Sequence, residues 1–163
     1  MVSNWFITGD CHRDFSRFNL TKEGTNFKTD DTAAVIILGD AGINYKLDHH
    51  DDELKNSIIK KYKCYFYCVH GNHEARPQDV MDMKLIYDQN AGGDVYVQEK
   101  WPTIRYFKDW GIYTIGAYKI AVIGGAYSVD KWYRLVSAGM DIREEPTYSS
   151  AIKAGWFPNE QLS

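Results

Sequence analysis

Five residues in the first half of the chain are of types that do chemistry, and each follows an apolar run broken by glycine. Asp10 and His12 come after Trp5-Phe6-Ile7-Thr8-Gly9, and Asp40 comes after Val35-Ile36-Ile37-Leu38-Gly39. Asn72 and His73 come after Tyr65-Phe66-Tyr67-Cys68-Val69-His70-Gly71. Carboxylate and amide oxygens suit hard divalent cations, and imidazole suits borderline ones. A carboxylate such as Asp40 can bridge two ions roughly 3.5–4 Å apart, an arrangement that activates water and clamps a phosphoryl group. His73, beside a ligand, is of the type that protonates a leaving oxygen or stabilises a transition state. Three repeats of the same pattern exceed what composition produces by chance.

Such side chains need rigid mounts, and the apolar runs read as strands. Residues 4–8, Thr32 to Leu38 and Cys64 to Val69 are predicted as three strands, the second apolar throughout and hence buried on both faces as in a parallel sheet. Between the first two, Arg13 to Leu20 sets Phe15 and Phe18 at near-helical spacing, and Lys22 to Asp31 reads as a surface connection. Between the second and third, Glu53 to Tyr62 places Leu54, Ile58, Ile59 and Tyr62 on one stripe, with Asp51 or Asp52 as its cap. Strand, crossover and strand is the parallel βαβ grammar, and ligands bind at the carboxyl ends of such strands. Asp10, His12, Asp40, Asn72 and His73 are therefore expected on one edge.

The second half reads differently. Asp79 to Lys84 is expected to be briefly helical, and Asn90 to Asp94 to turn. Val95 to Val97, Thr103 to Phe107, Ile112 to Ile115 and Tyr118 to Ile123 read as closely spaced, largely antiparallel strands. Gly124-Gly125-Ala126-Tyr127-Ser128 repeats the strand-then-glycine pattern. Asp130, Lys131 and Arg134 follow it, either as surface charges or, for Arg134, as a contact to phosphate.

At 163 residues the chain is expected to be one domain, residues 1–163. Its net charge of −3 does not indicate a nucleic-acid partner. No apolar stretch approaches the roughly 18 residues a spanning helix needs, and no secretory leader opens the chain. Cys11, Cys64 and Cys68 are too few for a disulfide framework and read as reduced thiols, so a cytoplasmic location is expected. Cys11 should turn inward, His70 should be a strand-end structural histidine, and His49 and His50 should be solvated.

Gly9-Asp10-Cys11-His12, Gly39-Asp40 and Gly71-Asn72-His73-Glu74, in this order, resemble the D-x-H, GDxxD and GNH[D/E] motifs of the calcineurin-like metallophosphoesterases. The match runs over residues 4–75, and the glycine-rich 124–128 segment is similar to one in bacterial and phage-type members. The resemblance implies an α/β fold, a four-layer α/β/β/α sandwich with mixed sheets and helices outside. It implies a phosphoester substrate, hydrolysed as a monoester or diester, and two divalent ions, manganese first, with iron, zinc or magnesium as alternatives. By the same resemblance Asp10 and His12 bind the first ion, Asp40 bridges, Asn72 binds the second and His73 contacts the scissile phosphate. Two departures stand out. The second Asp of GDxxD falls on Ile43, and no histidine follows His73 to provide the later ligands. The expectation is a member truncated before its last strands, which would leave a sheet edge open to homodimerisation. The alternative is a catalytically impaired or non-catalytic metal-binding or regulatory module.

Overall fold

The computed structural model describes residues 1–19, 30–141 and 143–159. Its centre is a six-stranded mixed sheet in the order β1 (Asn4–Gly9), β2 (Ala33–Leu38), β3 (Tyr65–Val69), β6 (Ile104–Phe107), β5 (Gly93–Gln98) and β4 (Met83–Asp88). The first four run parallel, and β5 and β4 are added antiparallel. A separate hairpin, β7 (Trp110–Ile115) and β8 (Tyr118–Ile123), forms a two-stranded second layer. The mixed α/β architecture expected from the sequence is what forms.

Alternation along the buried strands divides the core between the two faces. Val35, Ile37, Phe66, Cys68 and Tyr106 face helix α1 (His49–Lys61), which contributes Ile58 and is followed by Tyr62. Ile36, Tyr67, Val95 and Phe107 face the hairpin, which contributes Tyr113, Ile115 and Val122. The hairpin is tied down by Tyr113, whose hydroxyl donates to Asp94 O (2.8 Å) and accepts from Lys108 N (3.0 Å). Two short helices, α2 (Lys131–Ser137) and α3 (Tyr148–Lys153), follow.

Several local expectations are corrected. The helix predicted over Arg13 to Leu20 is only a 3-10 turn at Ser16–Asn19; Leu20 and most of the Lys22–Asp31 connection lie outside the described residues. Helix α1 begins at His49, and its cap is Asp48, which is extended and accepts from His50 N; Asp51 is instead 2% exposed inside the first turn. Asp79 to Lys84 is not helical: a 3-10 turn at Pro77–Asp79 leads into β4, where pairing with β5 across the 89–92 turn outweighs local pattern. The second half is antiparallel within β4–β5–β6 and within the hairpin, but β6 returns to pair in parallel with β3.

Candidate metal centre

The three parallel strands end level with one another. Gly9 pairs with Leu38, and Leu38 with Val69, so the loops bearing Asp10, Asp40 and Asn72 leave the sheet side by side. These three residues line one cleft. The loops are also bonded together: Cys11 N and His12 N both donate to Asp40 O, at 3.1 and 2.8 Å. His73 N donates to Asp40 Oδ1 at 2.8 Å, which fixes one carboxylate oxygen and orients the other. A Cβ at Gly71 would lie 2.0 Å from Asp40 Oδ1 and 2.4 Å from Asp40 N, so only glycine admits the Asp40 loop.

The backbone here is held away from its resting conformations. His12, Arg13 and Asp40 have φ of 44°, 70° and 40°, in the left-handed region that non-glycine residues rarely occupy. Such strain persists where surrounding contacts over-determine it, and it clusters at functional sites. One of those contacts is Arg13, which donates to Gly42 O and to buried Asp51, both reached from the loop's far side.

The donor set fits divalent cations. Asp10 Oδ2 and His12 Nε2 lie 2.6 Å apart, both side chains half exposed. Asn72 Nδ2 donates to Ser128 Oγ at 2.9 Å, which makes its carbonyl oxygen the atom of this amide suited to a cation. Among the described residues, the group of three His or carboxylate side chains whose ligand atoms all lie within 4.8 Å of one another is Asp48, His49 and His50. That exposed trio caps α1 and is not at the strand ends; ligands arrayed around a pair of ions span more than one such radius.

His73 meets His12 edge-on, with ring centroids 5.3 Å apart, and Arg134 lies against its other side. Arg134 Nη2 is 2.9 Å from Nδ1 and 2.7 Å from Nε2, so the guanidinium lies across the imidazole rather than along one lone pair. Asp130 holds Arg134 through Nε at 2.7 Å, and Gly155 O accepts from Nη1. Burial first, and then the charge of Arg134, keeps the His73 imidazole below its ordinary pKa, with Asp40 opposing.

Behind the turn lies Glu74, wholly buried, accepting from Tyr106 OH at 2.7 Å and Ala41 N at 3.3 Å. Burial raises its pKa to about 7, against the lowering effect of the Tyr106 bond. His70 is buried with Asp109 at 3.4 Å, and Cys11 is buried between Asp10 and His12 in sequence, with its thiol pushed up to about 11 by desolvation. His49 and His50 are exposed, as expected. Ile43, where the motif's second Asp would fall, is fully buried in the core.

All five strand-end residues thus come together, and Arg134 joins them from α2. Sequence reasoning gave no role to Ser128, Asp130, Glu74 or Tyr106. The inward alternation of Ile104 and Tyr106 is a usable signal for the last, but its partner 32 residues away is not. A family model described as calcineurin-like phosphoesterase matches residues 6–159. Neither a curated protein nor a solved structure matches the chain.

Proposed function

Since the chain belongs to the calcineurin-like phosphoesterase family, we propose that it hydrolyses a phosphomonoester or phosphodiester in a metal-dependent reaction at the ends of β1, β2 and β3. The observation that carries this reading is the level ending of those strands, which brings Asp10, Asp40 and Asn72 onto the walls of one cleft. Asp10, His12, Asp40 and Asn72 would hold two divalent ions, manganese by preference. When bound, the ions supply the positive charge that activates water and neutralises the phosphoryl oxygens.

The chain's own groups do the rest. Ser128 turns the Asn72 amide, and the His73 backbone amide fixes one oxygen of Asp40, so both ligands are set before any ion arrives. Arg134, kept in place by Asp130, sets a fixed positive charge beside His73, where the oxygens of a phosphoryl group would be bound. His73 is the group placed to pass a proton to a leaving oxygen once phosphate charge offsets that of Arg134. Three free, buried cysteines support a reducing compartment. Among the described residues no helix is long and apolar enough to cross a membrane.

The test is twofold. Mn²⁺ at about a hundred times its Kd should raise Tm by about 5–10 °C and support hydrolysis of p-nitrophenyl phosphate or bis-p-nitrophenyl phosphate. Asp40→Asn should abolish both effects. A metal-dependent Tm shift with no turnover of either ester would favour the non-catalytic module. No shift and no turnover would sink the metal site itself.

A further inference from the structure

The cleft that holds Asp10, Asp40 and Asn72 extends well beyond them. It encloses ≈ 610 Å³, within the range of small-molecule sites, between the sheet and the hairpin. Ile7 and Leu38 form one wall, and Ile120 and Val122, the β8 side chains that alternation turns toward the sheet, form the other. Ile7 and Leu38 are 68% and 55% exposed. Apolar side chains exposed singly are ordinary, but here they face one another across a cavity that opens onto the strand ends.

The remaining lining residues narrow what fits. Asp10, Asp40 and His70 are the ionisable ones, and all three sit at strand ends; no lysine or arginine lines the walls among the described residues. A second phosphate would find no counter-charge there. Away from the strand ends the walls are aliphatic side chains, with no amide or hydroxyl to satisfy a sugar's hydroxyls. The cleft is also anchored: Gly125 N donates to His70 O at 2.7 Å, which fastens the end of β8 to the end of β3, while Gly124 N donates to Asp109 O at 2.7 Å and extends the hairpin ladder.

We propose that the substrate's phosphorus carries an apolar organic group, an alkyl chain or an aromatic ring, and that this group lies in the cleft between the sheet and β8. The proposal rests on the hydrolytic reading above. It names the substrate class of the same site. Burial of the apolar group against Ile7, Leu38, Ile120 and Val122 would add binding energy, while Asp10, Asp40 and Asn72 with their ions take the phosphoryl end.

The test uses non-hydrolysable alkylphosphonates (methyl, butyl, hexyl and octyl) and calorimetry on the full chain with Mn²⁺. Affinity should rise about threefold to fourfold for each methylene that enters the cleft, and EDTA should remove binding across the series. Phenylphosphonate measured against hexylphosphonate distinguishes a ring-shaped from a chain-shaped occupant, and tight binding of either supports the proposal. Ile120→Ser and Leu38→Ser should flatten the series and leave methylphosphonate unchanged, whereas Ile120→Leu should keep the slope. Circular dichroism establishes that each variant is folded. A flat series in the wild type, with methylphosphonate bound only when Mn²⁺ is present, overturns this inference and leaves the hydrolytic reading standing. Octylphosphonate binding that ignores EDTA, with no methylphosphonate binding, overturns both. A flat series together with a dimer that Ile7→Asp dissociates assigns the apolar walls to a second copy and overturns the proposal.

Discussion

Glu74 couples the site to solution pH through its burial. In the unfolded chain it titrates near 4.5, and in the fold near 7, because desolvation outweighs the Tyr106 and Ala41 hydrogen bonds. Between those values the unfolded chain has lost a proton that the folded chain keeps, so folding stability falls as pH climbs from about 4.5 to about 7. The contribution is full below 4.5, and its loss by pH 8 amounts to roughly 3 kcal/mol. Glu74→Gln cannot titrate. Urea unfolding of metal-free protein should therefore show the variant gaining on the wild type across that window, then holding a constant margin above it. A margin that stays flat from pH 4 to 8 would contradict the assignment. Asp10, Asp40 and Asn72 are legible in the sequence because each announces itself by following an apolar run and a glycine. The burial of Glu74 is not, since it depends on Tyr106, a residue from a strand that the chain reaches 32 residues later.

At the level of elements, α1 does more than cover the sheet. Its first turn carries Asp51, 2% exposed, which accepts from Arg13 at 2.5 Å and from the backbone amides of Lys46 and Leu47 at 2.9 and 2.7 Å. The helix thus clasps two strand-end loops, one at Arg13 and one at 46–47. Removing the carboxylate leaves a half-buried guanidinium and two amides without their acceptor, at a cost of about 2–4 kcal/mol. Asp51→Ala should lose that much in urea unfolding, and a cycle with Arg13→Ala should show coupling of about 1 kcal/mol or more. Strict additivity would mean that the pair does not act as a unit. Apolar periodicity revealed the helix but misplaced its start, because Asp51 resembles a cap when only neighbours are counted. Strand β4 was missed for a related reason. It is a largely exposed edge strand, so its period was weak, and pairing with β5 decides its form.

The molecule as a whole is graded in how firmly its parts are held. β2 and β3 lie inside the sheet, with covered faces and paired edges, and they should open only on global unfolding. The hairpin has β8 at its margin, paired on one side only among the described residues and largely exposed. Hydrogen exchange read by mass spectrometry should find β2 and β3 slowest, with β8 exchanging at least tenfold faster; equal protection would refute the gradient. The parallel core was readable because every crossover is local in sequence, whereas the return of β6 to β3 is set by packing between distant segments. β2 also raises a problem of folding fidelity. Its residues Ala33 to Ile37 are buried on both faces, so hydrophobicity would tolerate a slip by one residue, although a slip exchanges every side chain between faces. The hydrogen bonds of Asp40 with Cys11, His12 and His73 do not tolerate it. The loop that presents Asp40 therefore also pins the strand in place. Two of these bonds use the Asp40 backbone carbonyl and survive any substitution, whereas the bond from His73 N needs a side-chain acceptor, which Asn keeps and Ala loses, so Asn is the variant that separates lost activity from a loosened register.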